Sequence, residues 1–225
     1  MTALAPRPTE ALASAAAAEE RLLRTVALMR PEQVFEPSAL PGWTRGHVLT
    51  HLARNADALI NLLTSARTGT LVLMYASPES REQDIEAGAK RPLPEQLEDL
   101  RASGQRLAEA AATLPDAAWT GEVQHRLGPV RTDSVPAKRL SEIEYHLVDL
   151  GLGHYTPAQW PSGFVSAQLR PLTERHLASG ALDRELLDRI AGAPDHARLA
   201  WLSGRSDGAG LGVPTSDLPT LPALG

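Results

Sequence analysis

The sequence predicts a mainly α-helical fold, a four-helix bundle followed by a small C-terminal subdomain. The chain is rich in alanine and arginine, and only 4% of its residues are aromatic, which favours helices over strands. Its apolar residues also recur at the 3.6-residue helical period in four long stretches. We expect residues 1–160 to form the bundle and residues 161–225 to form the subdomain, which ends in a Gly/Pro-rich tail.

The first two helices are marked by apolar periodicity and by start and stop signals. The first begins near Thr9, and the second begins after an N-cap at Thr44 and closes at Gly69. Asn55 lies inside the apolar stripe of the second helix, where a buried polar side chain usually has a hydrogen-bond partner or a function. The predicted stripes are Leu12, Ala16, Leu22, Leu23, Val26 and Met29, then Val48, Leu52, Leu59, Leu62 and Leu63.

Breaks and shorter helices make up the rest of the chain. The residues before Ser77 are either a short strand or an extended loop, and the segment from Trp119 to Pro136 is either a hairpin or a long loop. First-turn prolines indicate helix starts at Pro78, Pro94 and Pro136. The further predicted helices span residues 78–88, 94–113, 136–151, 164–177, 183–190 and 198–202.

Charge and composition exclude several classes of function. The formal net charge of −5 offers no basic surface for nucleic acid or anionic lipid, and no span is apolar enough to cross a membrane. Acidic residues interrupt the alanine-rich N-terminus, so we expect no leader peptide there. The absence of cysteine fits a reducing compartment. We therefore predict a cytoplasmic protein with small-molecule partners, no nucleic acid and no membrane.

The segment RLSEIEYHLVDLG, residues 139–151, contains the residues on which the functional hypothesis depends. In a helix, Glu142 and His146 lie one above the other and can bind one divalent cation. Asp149 follows three residues later, where it can hold the far ring N–H of His146. Taken alone, a Glu/His pair at this spacing is more typical of a solvated surface pair. A third ligand is needed.

The second helix offers two histidines, His47 and His51, as that third ligand. On the helical wheel His51 lies beside the apolar stripe, whereas His47 is displaced toward the flank. We therefore take His51 as the ligand and His47 as a boundary residue. Without His146 and Glu142, a core histidine bonded to a backbone carbonyl would be the preferred interpretation of His51.

Two histidines and one carboxylate are typical of a catalytic zinc site with an open coordination position. Nickel, cobalt or iron would accept the same ligands, but zinc is our prediction. A fourth ligand would instead close the site and favour a structural metal. His47, His125 and Asp149 are the side chains that could supply it.

Three runs resemble the mycothiol-dependent maleylpyruvate isomerases, members of the DinB-like metalloenzyme superfamily. They are LPGWTRGHVLTHLARNADAL, MYASPESREQDIEAGA and SEIEYHLVDLG, at residues 40–59, 74–89 and 141–151. The resemblance implies a DinB-like bundle with His51, Glu142 and His146 as metal ligands. It also implies that Arg205, in the pair Gly204-Arg205, reaches the active site and binds a substrate carboxylate. Family members carry a C-terminal α/β subdomain with several strands, whereas the corresponding region here is short and has a helical pattern.

The resemblance further implies the reaction, the isomerisation of maleylpyruvate, a cis enone dicarboxylate, to fumarylpyruvate in gentisate breakdown, a pathway of aromatic catabolism. A thiolate adds to the double bond, the resulting single bond rotates, and the thiolate leaves. A chain without cysteine needs a small-molecule thiol for this, and mycothiol is the thiol implied. The metal would either deprotonate the thiol or polarise the carbonyl. Asn55 and Tyr75 are further candidates for orienting the substrate or the thiol.

Two other functions use the same helices. A metal-dependent thiol S-transferase or detoxification enzyme of the superfamily would share every metal ligand and release the thiol adduct. A helical bundle with a structural metal, or with none, would instead serve as a non-catalytic binding module. The amount of thiol consumed separates the first from the isomerase, and a thiol-dependent assay separates the second.

Overall fold

The computed structural model describes residues 7–221, so the predictions that fall on residues 1–6 and 222–225 lie outside the described residues. The described chain forms two compact units that divide after Gly151. The division predicted from the sequence, at residues 160 and 161, stays a prediction. None of the helices in the described part combines the length and the apolarity that crossing a bilayer requires.

Four long helices form the bundle of the first unit, as predicted. Helix α2 packs against α4 and α5, and α1 packs against α4 and α5. A shorter helix, α3, lies against α2. The bounds are α1 Thr9–Ala27, α2 Arg45–Thr68, α3 Pro78–Gly88, α4 Leu93–Ala112 and α5 Val135–Asp149.

The ends of α2 are fixed by local chemistry. The Thr44 side chain accepts a hydrogen bond from the backbone N–H of His47, and Gly69 closes the helix with a φ of 69°, in the left-handed region. A Thr N-cap and a Gly C-cap each satisfy backbone groups that a helix end leaves unpaired. The predicted second helix is therefore confirmed at both ends.

Helix α3 approaches α2 so closely that glycine is needed at two points. A Cβ on Gly46 would lie 2.3 Å from the carbonyl oxygen of Ala89, and a Cβ on Gly88 would lie 2.4 Å from Cγ2 of Thr50. Real Cβ atoms do not make contacts this short, so any side chain would push α3 away from α2. This approach brings the C-terminal end of α3 alongside the first two turns of α2.

A two-stranded antiparallel hairpin connects α4 to α5. Strand β1, Glu122–His125, pairs with β2, Gly128–Arg131, and Val123 lies opposite Val130. The structure thus selects the hairpin over the long loop. Residues 70–76 form no strand, so the extended loop is the correct alternative there.

The predicted apolar stripe of α2 is buried throughout, and that of α1 needs one correction. Ala16 is exposed and Ala18 is buried instead. Ala18 precedes Leu22 by four residues and shares its face, whereas Ala16 lies six residues before Leu22 and points elsewhere.

The second unit is helical in its described residues, with α6 Ser162–Ala178, α7 Arg184–Arg189 and α8 Asp195–Leu202. Helix α6 packs against α8, and the ring Nε2 of His176 lies 2.9 Å from the carbonyl oxygen of Leu202. The helical pattern predicted for this region is confirmed. The region up to residue 221 contains no β-strand.

Candidate metal centre

The first side chain of the candidate metal centre, His51, comes from the second turn of α2. Its ring is buried, with 5% of the residue exposed, and its centroid lies 5.7 Å from that of Trp43. Arg139 of α5 donates a hydrogen bond to the carbonyl oxygen of the neighbouring Leu52 at 2.7 Å. This bond ties α5 to α2 beside His51.

Helix α5 supplies the other two side chains, Glu142 and His146, from successive turns. Glu142 Oε2 lies 3.0 Å from Nε2 of His51 and 3.5 Å from Nε2 of His146. One ligand atom from each of the three residues lies within 4.8 Å of the other two. A tetrahedral cation with bonds of about 2.0–2.1 Å holds its ligand atoms roughly 3.3 Å apart, and the two observed separations bracket that value. The three ligand atoms are close enough together to bind a single divalent cation.

Asp149 occupies the position on α5 that the sequence predicted for it. Its Oδ2 lies 2.8 Å from Nδ1 of His146, and the residue is 2% exposed. A carboxylate that accepts from Nδ1 fixes the proton there and leaves Nε2 free to bind a metal. Asp149 therefore orients His146 and is not available as a fourth ligand.

Replacing Asp149 with asparagine should weaken zinc binding by about 10- to 100-fold, because an amide is a poorer acceptor for the imidazole N–H. Chelator competition on the purified protein measures this. The exposed Asp84→Asn is the matched control and should bind zinc like the wild type. Equal zinc affinity in Asp149→Asn and the wild type would show that the contact does not support the ligand.

The charge states of His51 and Glu142 suit a cation, whereas the shift at His146 favours the protonated imidazole. Burial lowers the pKa of His51 to about 4 despite its hydrogen bond with Glu142, so its imidazole is neutral at neutral pH. Burial by itself raises the pKa of Glu142, but hydrogen bonds with His146 and His51 outweigh it and hold the pKa well below its usual range. Burial lowers the pKa of His146, and hydrogen bonds with Asp149 and Glu142 outweigh it, so the net shift is upward.

His47 and His125, the other possible ligands, do not belong to the cluster that the described residues form. Nε2 of His47 lies 3.0 Å from Glu86, and its Nδ1 accepts from the backbone N–H of Thr44. His125 lies on β1, where its Nδ1 accepts from the backbone N–H of Leu127. Within residues 7–221 the cluster offers three possible protein ligands, and a tetrahedral cation bound by all three would keep one corner open.

Sequence reasoning missed Arg81, which lies on α3 next to the cluster. Its Nη2 lies 3.2 Å from Nδ1 of His51, and its guanidinium carbon lies 5.6 Å from the ring centre of Tyr75. The run MYASPESREQDIEAGA contains Arg81, but no spacing in that run links it to α2. Only the close packing of α3 on α2 brings it there.

The remaining predicted site residues differ in whether their contacts connect them to the cluster. Tyr75 adjoins it through Arg81, and burial raises the pKa of Tyr75 although Arg81 opposes the shift. Asn55 lies one turn after His51, and its side-chain oxygen accepts from Arg139 at 3.0 Å. Arg205 lies in the second unit, where Nη1 donates to the carbonyl oxygen of Ser203 at 3.1 Å. The predicted roles of these three residues stay predictions.

Comparison with known proteins identifies the family to which the chain is similar. The profile of the family described as "Mycothiol maleylpyruvate isomerase N-terminal domain" matches residues 15–151. A crystal structure of mycothiol-dependent maleylpyruvate isomerase is similar to the chain with a TM-score of 0.81 at 28% identity, over 90% of this chain and 91% of that one. A histidine-to-alanine mutant of that enzyme gives 0.79 at 28% identity, over 88% and 90%. No curated protein matches significantly. The DinB-like helical fold is confirmed.

Proposed function

The chain belongs to the mycothiol maleylpyruvate isomerase N-terminal domain family, and on that premise we propose that it is a thiol- and metal-dependent cis–trans isomerase. Its substrate would be maleylpyruvate and its product fumarylpyruvate. The observation that carries the proposal is the convergence of His51, Glu142 and His146 on one point, in a chain that has no cysteine of its own.

The absence of cysteine matters because the chemistry needs a sulfur nucleophile. When a thiolate adds to the conjugated double bond, a C–S bond forms and the π electrons move onto the carbonyl as an enolate. The former double bond can then rotate. Collapse of the enolate restores the double bond in the trans form and expels the thiolate. No atom is gained or lost, so a small-molecule thiol such as mycothiol is needed only in catalytic amounts.

His51, Glu142 and His146 would hold the cation, and zinc is the ion we propose. A bound zinc supplies either a deprotonated thiol or a polarised carbonyl. Asp149 keeps His146 in the tautomer that presents Nε2. Burial of His51 between Trp43 and α5 keeps its imidazole neutral, which is the form that binds a cation.

Three further roles belong to this proposal. Tyr75 keeps its proton at neutral pH, since burial raises its pKa, and its hydroxyl can donate to the substrate or the thiol. Asn55 has its oxygen held by Arg139, which leaves the amide N–H groups as its contribution. Arg205 would bind a substrate carboxylate by a charge-assisted pair. A cytoplasmic location and a place in gentisate breakdown stay predictions.

The test is a thiol-dependent assay on the zinc-loaded protein. With mycothiol at a small fraction of the substrate concentration, we expect complete conversion of maleylpyruvate to fumarylpyruvate, followed by absorbance and proton NMR. Omission of the thiol should abolish the conversion. Consumption of one thiol per substrate would indicate the S-transferase, and full zinc occupancy without thiol-dependent turnover would indicate a non-catalytic module. Either result would contradict the isomerase.

A further inference from the structure

Arg81 contacts the metal cluster in a way that the proposed ligand set does not explain. Its guanidinium lies against Nδ1 of His51 and over the ring of Tyr75. Its Nε is buried and has no hydrogen-bond partner in the described part of the chain. A guanidinium with a buried, unused donor, held beside the candidate metal ligand His51, points to a further ligand.

The contact between Arg81 and His51 is incompatible with a metal-bound His51. Nε2 of His51 faces Glu142, so Nε2 is the nitrogen that His51 offers to a cation. A neutral imidazole that binds metal through Nε2 carries its proton on Nδ1. A guanidinium has donors only, so Arg81 and the protonated Nδ1 would both point hydrogens at each other. The positive charge of the cation adds to the repulsion.

Loading the site should therefore free the Arg81 guanidinium from His51. A groove of about 690 Å³ lies beside it, between α3 and the segment that precedes α2, and Trp43, His47 and Lys90 also line this groove. Glu86 pairs with both His47 and Lys90, so these two side chains already have a partner. The guanidinium of Arg81 then becomes available as a charged donor in the groove wall.

We propose that Arg81 binds a carboxylate of the substrate, beside the open corner of the metal site. This inference rests on the proposed function, in which the dicarboxylate is the reactant that carries carboxylates. A guanidinium pairs with a carboxylate through two parallel hydrogen bonds, which fixes the orientation of the acid as well as its position. Arg81 would thus position the double bond relative to the thiol, from within the first unit.

The inference predicts that Arg81→Gln strengthens zinc binding and weakens maleate binding. Zinc should bind several-fold more tightly, because a competing cation next to His51 is gone. Maleate, a stable cis dicarboxylate used as the probe, should bind zinc-loaded Arg81→Gln roughly 10- to 100-fold more weakly than the zinc-loaded wild type, the effect of one charged hydrogen-bonded pair. Calorimetry measures the maleate affinity and chelator competition the zinc affinity.

Two further variants make the result specific. Arg81→Lys keeps the charge without the two-pronged geometry and should recover part of the maleate affinity. Arg101→Gln removes an exposed positive charge on α4, outside the groove, where Arg101 pairs with Glu98, and should leave maleate binding unchanged. A merely structural Arg81 would lower zinc and maleate binding together, and this result would overturn the inference. So would unchanged maleate affinity in Arg81→Gln, or a wild type that binds no maleate.

Failure of this inference and failure of the proposed function are distinguishable. Maleate binding needs neither thiol nor turnover, so it is measured whether or not the protein isomerises maleylpyruvate. If the wild type isomerises maleylpyruvate and Arg81→Gln still binds maleate normally, the function stands and only the role of Arg81 is wrong. If Arg81 behaves as expected and no isomerisation occurs, the groove binds a different anionic reactant.

Discussion

If the proposed function is right, the Glu142→Ala variant should remain folded, bind zinc far more weakly than the wild type and lose about 1,000-fold or more of the thiol-dependent isomerase activity. Glu142 supplies the negative charge among the three proposed ligands, and its Oε2 contacts both histidines. Two neutral imidazoles remain in the variant, and they bind a divalent cation far more weakly than a set that includes a carboxylate. Metal analysis after dialysis, together with the maleylpyruvate assay, measures both effects.

The fold should tolerate this change because the Glu142 side chain is about one-third exposed. Far-UV circular dichroism and the thermal midpoint check that expectation. Glu82→Gln is a suitable control, since Glu82 is an exposed acid in the nearby groove wall that is not part of the cluster. If Glu142→Ala kept a full complement of zinc, the proposed ligand set would be wrong.

The helices of the first unit could be predicted from sequence because their signals are local. Thr44 and Gly69 act on backbone groups within their own turn, and the first-turn prolines fix φ without any tertiary contact. The spacing of Glu142, His146 and Asp149 likewise lies within one helix, so their shared face follows from helical geometry alone. Such features need no knowledge of neighbouring elements.

The contacts between elements could be predicted only in part. That His51 meets Glu142, 91 positions away, followed from the helical wheel and from the need for a third ligand. Arg81 gave no such signal. Its place depends on Gly46 and Gly88, which let α3 approach α2, and glycines inside helices are equally compatible with many other packings.

For a related reason, the sequence could not distinguish a hairpin from a long loop between α4 and α5. Neither strand has four residues of clear alternation, and Gly128 alone does not specify a turn type. Pairing of Val123 with Val130 depends on burial against the bundle, where Val123 joins a cluster that includes Leu62 and Trp119. Burial of this kind is a tertiary effect, which a pattern of four residues cannot indicate.

Of the proposed substitutions, Arg139→Ala should lower the free energy of unfolding the most, because it breaks a buried ion pair. Arg139 is 1% exposed, and its Nε donates to Glu19 of α1 at 2.6 Å. Its Nη1 donates to the carbonyl oxygen of Leu52 and to Asn55, both on α2. Removing one partner of such a pair typically costs about 3–5 kcal/mol, which corresponds to a fall of roughly 6–20 °C in the thermal midpoint for a chain of this size.

Arg24→Ala provides the contrast, because Arg24 pairs with Glu20 on the surface of α1 with both side chains about two-thirds exposed. That change should cost at most about 0.5 kcal/mol. A double replacement of Glu19 and Arg139 by methionine should recover much of the loss, since no buried charge is left unpaired. Equal midpoints for Arg139→Ala and Arg24→Ala would show that the pair does not hold the bundle together. Because Arg139 lies three residues before Glu142 and bonds the carbonyl next to His51, Arg139→Ala should also bind zinc more weakly than Arg24→Ala.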